Sequence, residues 1–597
     1  MTRERSHNGC SRRKVLKNSL GVSLGLACGP KVFASSLLNS SNFAQPGASS
    51  WPNAVQWAAL HRQVAGHLSQ VRSPLIAART ARDAASTDAL FENLRNPYYI
   101  GDDPALTQSL GWTDAWTSQP SAYAIEATSA RDVAVGVLFA RAHNLRLVVK
   151  GGGHSYVGAS NAPDSLLIWT RKMDSVVMHD AFVGVGAVEG TVPVPAVSVG
   201  AGAIWGRIYD AVTTRGGRYV QGGGCLTVGV AGFVLGGGFG SFSKRYGTGA
   251  SNLLEAEVVT ADGRILIANA HQHQDLLWAL KGGGGGTFGI MTRVTMRTHD
   301  LPSTLGVVML DVQAKSRGAW RHLVERMIAF YAASLCNPDW GEQIGFSQRR
   351  LTVRMLFAGL TTEQAQEIWR PFIDYLRSND SDFEMHEPMI AAFPARQMWN
   401  PGFLGTLPGI ILKDSRPGAR EGDAYWAQNL AETGWVISGY HSSWLPSSLL
   451  GAGAREALVS ALVEASERWG VDLHFNKGMA GGEPHARAAC RATATNPRMV
   501  DAFALAIVAG GQAPAYPGVP GHEPDVAAGR RDAGLMRQAF APLEAISGPP
   551  ASYVSETDYF HRHWQEAFWG KNYPRLLAIK RRYDPSGLFK VHHGVGS

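Results

Sequence analysis

The sequence predicts an α+β protein built from more than one globular unit. Its 597 residues are too many for one compact core, because single hydrophobic cores stop growing at about 250–300 residues. From about residue 117 to 300, short β-branched runs alternate with helical stretches and glycine-rich turns. From 301 to 545, longer helical patterns alternate with strands. This change of pattern predicts two main domains.

We expect five parts along the chain. Residues 1–34 form a targeting segment, and residues 35–116 form an N-terminal segment. Residues 117–300 and 301–545 form the two main domains. Residues 546–597 form a distinct, aromatic-rich C-terminal segment. The sequence shows no tandem repeat, so a repeat architecture is not expected.

Local patterns predict helices and strands inside these parts. Helical patches are expected within 57–71, and helices over 130–142, 319–332 and 362–377. A last helix is expected to open at 572–575 and to end before Pro585, since proline cannot continue a helix. Strands are expected over 146–150, 197–199, 257–260, 265–268 and 351–357.

The positive charge does not predict a nucleic-acid partner. The net charge is +8 and the pI is about 9.2, but the basic residues are spread along the chain. The densest run after the targeting segment, residues 580–582 (Lys-Arg-Arg), lies at the end of a predicted helix. Basic side chains stabilise that end of a helix. We therefore interpret the run as a solvated face.

The N-terminus predicts export. Residues 11–17 (Ser-Arg-Arg-Lys-Val-Leu-Lys) precede a mildly apolar stretch over 20–28, as in a twin-arginine signal. A basic disordered N-terminus is the alternative. The apolar stretch is too short to span a bilayer, and no later stretch has the ~18 apolar residues that a membrane helix needs. We expect a bacterial protein that the twin-arginine translocase exports to the periplasm or secretes, without a membrane anchor.

The cysteines leave one thiol for another role. Cys10 and Cys28 would be removed with the targeting segment, so Cys225, Cys336 and Cys490 remain. Three is an odd number for an oxidising compartment. If Cys225 holds a cofactor, Cys336 and Cys490 could pair or stay free.

Three glycine clusters predict a bound phosphate-bearing cofactor. They lie at 151–153, at 222–240 and at 282–286. Such clusters persist where the backbone approaches something closely, often an anion bound by N–H groups. Tight loop packing is the alternative. The chain has no P-loop, and residues 200–206 have one residue too many for the nicotinamide-binding fingerprint.

These glycine segments resemble a known family. Residues 151–156 (Gly-Gly-Gly-His-Ser-Tyr) resemble the histidyl-flavin motif of the vanillyl-alcohol oxidase or PCMH type of FAD-binding domain. Residues 224–230 (Gly-Cys-Leu-Thr-Val-Gly-Val) with 236–240 resemble the cysteinyl-flavin segment of berberine bridge enzyme-like oxidases. Residues 572–577 and 583–589 resemble the C-terminal segment of that family.

The resemblance implies a two-subdomain FAD-binding domain, a substrate domain with an antiparallel sheet and helices, and a C-terminal segment that returns to the FAD-binding domain. It implies bicovalent FAD, with His154 on the 8α-methyl carbon and Cys225 on C6 of the ring. An imidazole and a thiolate are suitable nucleophiles for an electron-poor ring. The other implied cofactor-binding residues are Lys150, Gly151, Gly152, Gly153, Ser155, Gly158, Ser160, Gly224, Val228, Gly229, Gly232, Gly236, Gly237, Gly238, Gly286, Gly289, Ile290, Asn572 and Tyr573.

The resemblance also implies hydride transfer from a small-molecule substrate and reoxidation by oxygen. Val228 resembles the oxygen gate of oxidases, but a dye- or quinone-dependent dehydrogenase stays open. The chain departs from plant members at Phe233, where they carry a histidine. A phenylalanine cannot stabilise the negative charge of a reduced flavin.

Tyr553 is the leading candidate for the catalytic base. A phenol needs its pKa lowered to act near neutral pH, and Lys477 or Arg562 could supply the cation. Glu556 and Tyr440 are the alternatives, together with His441.

The middle domain is expected to set specificity. Its aromatic side chains Trp399, Trp435, Tyr440 and Trp444 fit a ring-binding surface but are more typical of a core. Sugars, secondary alcohols and amine-bearing compounds are all possible substrates. The sequence contains no motif that predicts a metal site. A non-catalytic binding protein and a nicotinamide dehydrogenase are the competing classes.

Overall fold

The computed structural model describes residues 43–81 and 83–597. The predicted targeting segment, with Cys10 and Cys28, lies outside the described residues. Helices of eight residues or more are Ala54–Gln63, Ala84–Asn93, Ala130–Ala142, Arg317–Phe330, Thr362–Ser378, Ala452–Arg468, Pro484–Arg491, Val526–Ser547 and Tyr573–Tyr583. Shorter helices are Pro74–Ala78, Pro97–Gly101, Trp205–Tyr209, Val230–Gly236, Ser243–Tyr246, Gln274–Leu280, Pro401–Leu404 and Trp564–Trp569.

Helix starts follow local capping chemistry. Ser129 and Asp132 form a capping box that begins helix Ala130–Ala142, and Thr361 with Gln364 does the same for Thr362–Ser378. In each pair the side chains satisfy N–H groups that the first helical turn leaves unpaired.

A small four-stranded sheet carries the first glycine cluster. Its strand order is Leu68–Gln70, Tyr123–Glu126, Ser165–Trp169 and Arg146–Lys150. The last three strands are parallel, and Leu68–Gln70 joins antiparallel. The expected helical patches over 57–71 are therefore wrong at their C-terminal end, because pairing with Tyr123–Glu126 fixes this short segment as a strand.

A six-stranded antiparallel sheet forms the second half of the 117–300 part. Its strand order is Ile265–Asn269, Leu253–Val259, Ile290–Asp300, Val194–Gly200 and Val176–Phe182, and Arg218–Val220 also pairs with Ile290–Asp300. The strands expected over 257–260 and 265–268 are present and pair with each other, with Val259 opposite Ile265.

A ten-stranded sheet dominates the rest of the chain. Its strand order is Phe383–Met385, Thr304–Ala314, Arg350–Ala358, Trp340–Ser347, Val471–His474, Ala502–Gln512, Trp435–Pro446, Ser109–Trp112 and Trp116–Thr117, with Met389–Pro394 also paired to Thr304–Ala314. Helices Arg317–Phe330, Ala452–Arg468 and Val526–Ser547 bury apolar side chains against this sheet. The predicted boundary at 116/117 falls inside its last strand.

The C-terminal segment returns to the 117–300 part. The Trp569 indole donates to the Gly282 carbonyl at 3.0 Å, and the Lys580 ammonium donates to the Thr287 carbonyl at 2.7 Å. The last helix, Tyr573–Tyr583, ends before Pro585, as the sequence predicts. The expected mixed α+β fold is confirmed. Among the described residues, no helix has the length and apolar character that crossing a bilayer requires.

Candidate active site

A cavity of about 1120 Å³ lies between the glycine-rich loops and the ten-stranded sheet. This volume exceeds the ~300–1,000 Å³ of an ordinary ligand pocket, so it has room for a cofactor and a substrate together. The predicted site residues that line it are Gly151, Gly152, Gly153, His154, Ser155, Gly158, Ser160, Gly224, Cys225, Val228, Gly229, Gly232, Gly236, Gly286, Gly289, Ile290, Tyr440, Tyr553 and Glu556.

Two glycines let the first two glycine-rich loops touch. A Cβ on Gly152 would lie 2.7 Å from the Gly229 nitrogen, and a Cβ on Gly229 would lie 2.8 Å from the Gly152 nitrogen. Both distances are shorter than real Cβ contacts, so any larger residue would push the loops apart. At this crossing, tight loop packing explains the glycines.

Other glycines border open space in the cavity. A Cβ on Gly232 or Gly285 would meet nothing within 4 Å, and one on Gly224 would meet only the Glu342 carboxylate at 4.0 Å. All three residues line the cavity. They leave smooth backbone walls that a flat ring system or a diphosphate can approach closely. This part of the cavity fits FAD.

The two predicted attachment residues meet at one hydroxyl group. The His154 Nε2 atom lies 3.1 Å from the Thr227 hydroxyl, and the Cys225 Sγ atom lies 3.6 Å from the same oxygen. Because Thr227 engages Nε2, the ring nitrogen left for attachment is Nδ1. The loop crossing thus brings two nucleophiles from sequence-distant segments to one end of the cavity.

Burial affects the two nucleophiles differently. It lowers the pKa of the His154 imidazole to about 4, so the ring is neutral and nucleophilic near pH 7. Burial raises the pKa of the Cys225 thiol, although the sequence argument calls for a thiolate. Because the thiolate is the reactive form of a cysteine, a bond from this sulfur would require the thiol to lose its proton first.

One face of the ten-stranded sheet forms the opposite wall. Strand pairing places five lining side chains in one row across the sheet. The row consists of Met389, Met309, Arg354, Gln343 and His474. Since alternate residues of a strand face the same side, the register of these strands decides which side chains reach the cavity.

Carboxylates collect where this sheet approaches the loops. The Tyr156 hydroxyl donates to Glu432 at 3.0 Å, and the Lys477 ammonium pairs with Glu556. Asp472 also lines the cavity. Burial, and then Glu432, raise the pKa of Asp472 to about 6. Burial likewise raises the pKa of Glu432.

The structure opposes the base role expected of Tyr553. Tyr553 lines the cavity, but burial and then the Glu556 carboxylate raise its pKa. That direction is opposite to the one a phenolic base needs. Lys477, one of the two expected cations, pairs with Glu556 instead. His441 lies beside Asp558 at 3.8 Å, outside the cavity lining.

Five predicted cofactor-binding residues lie outside the cavity lining, which does not include Lys150, Gly237, Gly238, Asn572 or Tyr573. The Lys150 ammonium donates to the carbonyls of Asp103, Pro104 and Leu106 at 2.6–3.0 Å, so it ties the N-terminal segment to the loop. The Asn572 amide donates to the carbonyls of Ala494 and Thr495, which fixes the start of the last helix.

Several residues that line the cavity could not be identified as site residues from the sequence. Tyr156 was visible in the histidine motif but had no assigned role, whereas Glu432, Asp472 and Asn476 follow no motif. The aromatic side chains Trp399, Trp435 and Tyr440 line the cavity while also packing in the core. Trp444 is buried away from it.

The structure also shows the surroundings of Phe233, the state of the cysteines and whether potential metal ligands cluster. Phe233 lines the cavity and packs edge-on against Trp205 at 4.9 Å between ring centroids. Cys225, Cys336 and Cys490 are free thiols within the described part of the chain. No cluster of His, Cys, Asp or Glu suited to a metal ion occurs within residues 43–81 and 83–597.

Comparisons with known proteins agree with this geometry. The family described as "FAD binding domain" matches residues 121–269, and "Berberine and berberine like" matches residues 552–596. FAD-linked oxidoreductase easE of Arthroderma benhamiae is 31% identical over 80% of this chain and 89% of its own length. VAO-type flavoprotein oxidase VAO615 of Thermothelomyces thermophilus is 28% identical over 92% of both chains.

Solved structures share the fold. A VAO-type flavoprotein of Myceliophthora thermophila C1 aligns with a TM-score of 0.76 and 25% identity, over 93% of this chain and 97% of that one. Glucooligosaccharide oxidase of Acremonium strictum aligns with a TM-score of 0.58 and 19% identity, over 80% of this chain and 92% of that one. It is described as carrying 6-S-cysteinyl, 8α-N1-histidyl FAD.

The source expected from the N-terminus gains no support, because the relatives named above are fungal. The comparisons support a flavin-dependent oxidoreductase. Both relatives are flavin-dependent oxidoreductases by name, and the two family matches fall on the glycine-rich part and on the C-terminal segment. The chain belongs to the berberine bridge enzyme-like FAD-linked oxidoreductases of the VAO-type flavoprotein superfamily.

Proposed function

We propose that this protein is an oxidase that removes hydride from a CH–OH or related group of a small molecule, with FAD attached to both His154 and Cys225. The observation that carries the proposal is the meeting of these side chains at the Thr227 hydroxyl. The description of glucooligosaccharide oxidase, with one histidyl and one cysteinyl bond to FAD, supports it.

The residues that line the cavity have two kinds of proposed role: some bind FAD, and others act on the substrate or on oxygen. FAD, when bound, would supply a hydride acceptor that oxygen can reoxidise. His154 and Cys225 hold the ring, while the open backbone at Gly224, Gly232 and Gly285 lets it lie close to the loops. Val228 lines the same cavity, and we propose that its small side chain admits oxygen.

Glu556 is the base that the geometry favours among the three candidates that line the cavity. It is a carboxylate in the cavity, held by the Lys477 ammonium. Burial raises the pKa of both Tyr553 and Tyr440, so each phenol would keep its proton near pH 7. We propose that Glu556 takes the substrate's hydroxyl proton, which makes the neighbouring C–H hydride easier to remove.

The attachment is tested with acid-precipitated holoenzyme. The wild-type pellet is expected to stay yellow, and tryptic peptides containing His154 and Cys225 to carry flavin mass. His154→Ala and Cys225→Ala should each keep one bond, and the double variant should release its flavin. Cys336→Ala, which changes a thiol outside the cavity lining, serves as the control. A colourless wild-type pellet overturns covalent attachment.

The acceptor is tested with the same preparation. Substrate-reduced holoenzyme is expected to reoxidise in air with release of one equivalent of peroxide. Reoxidation by dyes or quinones but not by oxygen would identify a dehydrogenase of the same fold. Reaction with neither would indicate a flavin-binding protein without turnover.

Export remains a proposal. The support is the residue pattern of segment 11–34, which lies outside the described residues. A twin-arginine route carries folded proteins, and this suits a chain whose cofactor is loaded before export. Cell fractionation with and without residues 1–34 checks it.

A further inference from the structure

One group of side chains lining the cavity contains more carboxylates than cations. We define the acidic chamber as Glu342, Glu432, Asp472, Asn476, Lys477 and Glu556, all of which line the cavity. It holds four carboxylates and one ammonium. Lys477 pairs with Glu556, so the other three carboxylates have no ion-pair partner within the chamber.

The three carboxylates are in a poor environment for charge. Burial raises the pKa of Glu342, Glu432 and Asp472. The Ser241 hydroxyl opposes the shift at Glu342 and the Tyr156 hydroxyl opposes it at Glu432. Lys477 is the cation that lowers the pKa at all three, and at Asp472 it acts alone. Several ionised carboxylates around a single cation are unfavourable in a buried site, and either protonation or a further positive group relieves this.

Asn476 gives an independent sign of an absent donor. Its side chain is only 3% exposed, yet it lines the cavity and its Oδ1 atom has no hydrogen-bond partner. Buried acceptors are normally paired. Asn476 is itself part of the acidic chamber, so this unpaired acceptor belongs to the same group of lining side chains as the carboxylates.

Aromatic rings border the same space. Tyr156 packs against Trp435 with 5.6 Å between ring centroids and against Tyr440 with 5.3 Å. All three side chains line the cavity. Aromatic faces attract cations, most strongly where water is excluded, and they also receive an apolar ring of a ligand.

We propose that the substrate of this enzyme carries a protonated amine, which Asp472, Glu432 and Asn476 bind through its N–H groups while Tyr156, Trp435 and Tyr440 surround its carbon skeleton. A polyol also supplies donors, but it brings no charge to offset the carboxylates. This inference rests on the proposed function only in taking the cavity as the substrate site.

The test compares three probes on the purified holoenzyme at pH 7.5: phenethylamine, its neutral counterpart phenethyl alcohol, and cellobiose. Binding is measured by tryptophan fluorescence, since Trp435 lines the cavity. We expect the amine to bind at least about tenfold more tightly than the alcohol, as a charge-assisted hydrogen bond allows. Fluorescence needs no turnover, so failure of the proposed oxidase activity does not affect this readout.

Variants assign the effect to the chamber. Asp472→Asn is expected to remove most of the preference for the amine and to leave alcohol binding within about twofold, because it removes one charge with little change in shape. Glu432→Gln should act in the same direction, which covers a failure of the first variant to fold. Glu384→Gln alters an exposed carboxylate of the same sheet and should leave the preference unchanged.

Two results would overturn the proposal. One is equal or tighter binding of phenethyl alcohol or cellobiose by the wild-type holoenzyme. The other is a preference for the amine that survives in both Asp472→Asn and Glu432→Gln.

Discussion

Glycine serves two purposes around the cavity, and only neighbouring atoms distinguish them. Gly152 and Gly229 allow two backbones to cross, since a Cβ on either would collide with the other loop. Gly232 and Gly285 face open space in the cavity. The two explanations weighed for the glycine clusters, loop packing and cofactor binding, therefore each apply at different positions.

Asp472 shows how a site residue can oppose stability. Burial and Glu432 raise its pKa to about 6, above the ~3.9 of an unfolded Asp. The folded state then holds the proton more tightly than the unfolded state. Ionising Asp472 therefore costs more free energy in the folded protein than in the unfolded protein. This destabilisation is complete above about pH 6 and nearly absent below about pH 4, where the carboxyl group is protonated in both states.

Asp472→Asn is therefore expected to stabilise the protein at neutral pH. We expect the free energy of unfolding to rise by about 2 kcal/mol at pH 7.5 and by about 0.5 kcal/mol at pH 4. Denaturant titrations at both pH values measure it, with Glu384→Gln as the control. An equal gain at both pH values would show that the charge is not the cause.

At the scale of elements, a buried lysine from one part of the chain holds a turn of another. Lys244 lies in helix Ser243–Tyr246 and donates to the carbonyls of Phe475, Gly478 and Phe503. The first two carbonyls flank Asn476 and Lys477. Lys244 thus acts as a positioning residue for the turn that carries both groups into the cavity.

Lys244→Met should disturb this turn. Three carbonyls would lose a charged donor, so we expect unfolding to become easier by about 3 kcal/mol and kcat/KM to fall about tenfold. Flavin attachment should be retained, because His154 and Cys225 lie on other loops. Melting curves, flavin content and kinetics check these outcomes.

Lys172→Met is the matched control, since Lys172 forms an exposed ion pair with Glu126. If Lys244→Met lowers stability while leaving kcat/KM and its pH profile unchanged, the lysine has a structural role alone.

At the scale of the whole molecule, the cavity exists because three sheets and the C-terminal segment close around it. Phe568, Trp569 and Leu576 share one buried apolar cluster with Val258 and Val294 of the six-stranded sheet. The last part of the chain therefore completes the core of the FAD-binding part, in agreement with what the family resemblance implies.

Trp569→Ala tests this closure. Trp569 is fully buried and donates to Gly282, so we expect a loss of about 4 kcal/mol of unfolding free energy and weaker retention of flavin in His154→Ala/Cys225→Ala protein. Thermal unfolding and flavin content measure both effects. Phe560→Ala removes a half-exposed ring of the same segment and should cost less than about 1 kcal/mol. Similar losses in the two variants would contradict the closure.

Helices and strands whose conformation is fixed by neighbouring residues in the chain could be predicted from the sequence. Helix Ala130–Ala142 matches the expected 130–142, because Ser129 and Asp132 form its cap locally. Strand Arg146–Lys150 matches for a similar reason, since an apolar run ends at a glycine cluster. The short strand Leu68–Gln70 was missed, because only its partner strand fixes its conformation.

The sequence by itself indicated the family and the two candidate attachment residues, because both lie in short continuous motifs. It also indicated the mixed α+β fold, because helical and strand patterns alternate locally along the chain. Only the tertiary structure decided the acidic chamber, whose carboxylates Glu342, Glu432, Asp472 and Glu556 come from distant segments. It also decided the direction of each pKa shift, including the raised pKa of Tyr553 that opposes a base role for this phenol. The physical reason is that burial and the charges around a group depend on which segments meet in space, and no local pattern of residues records that.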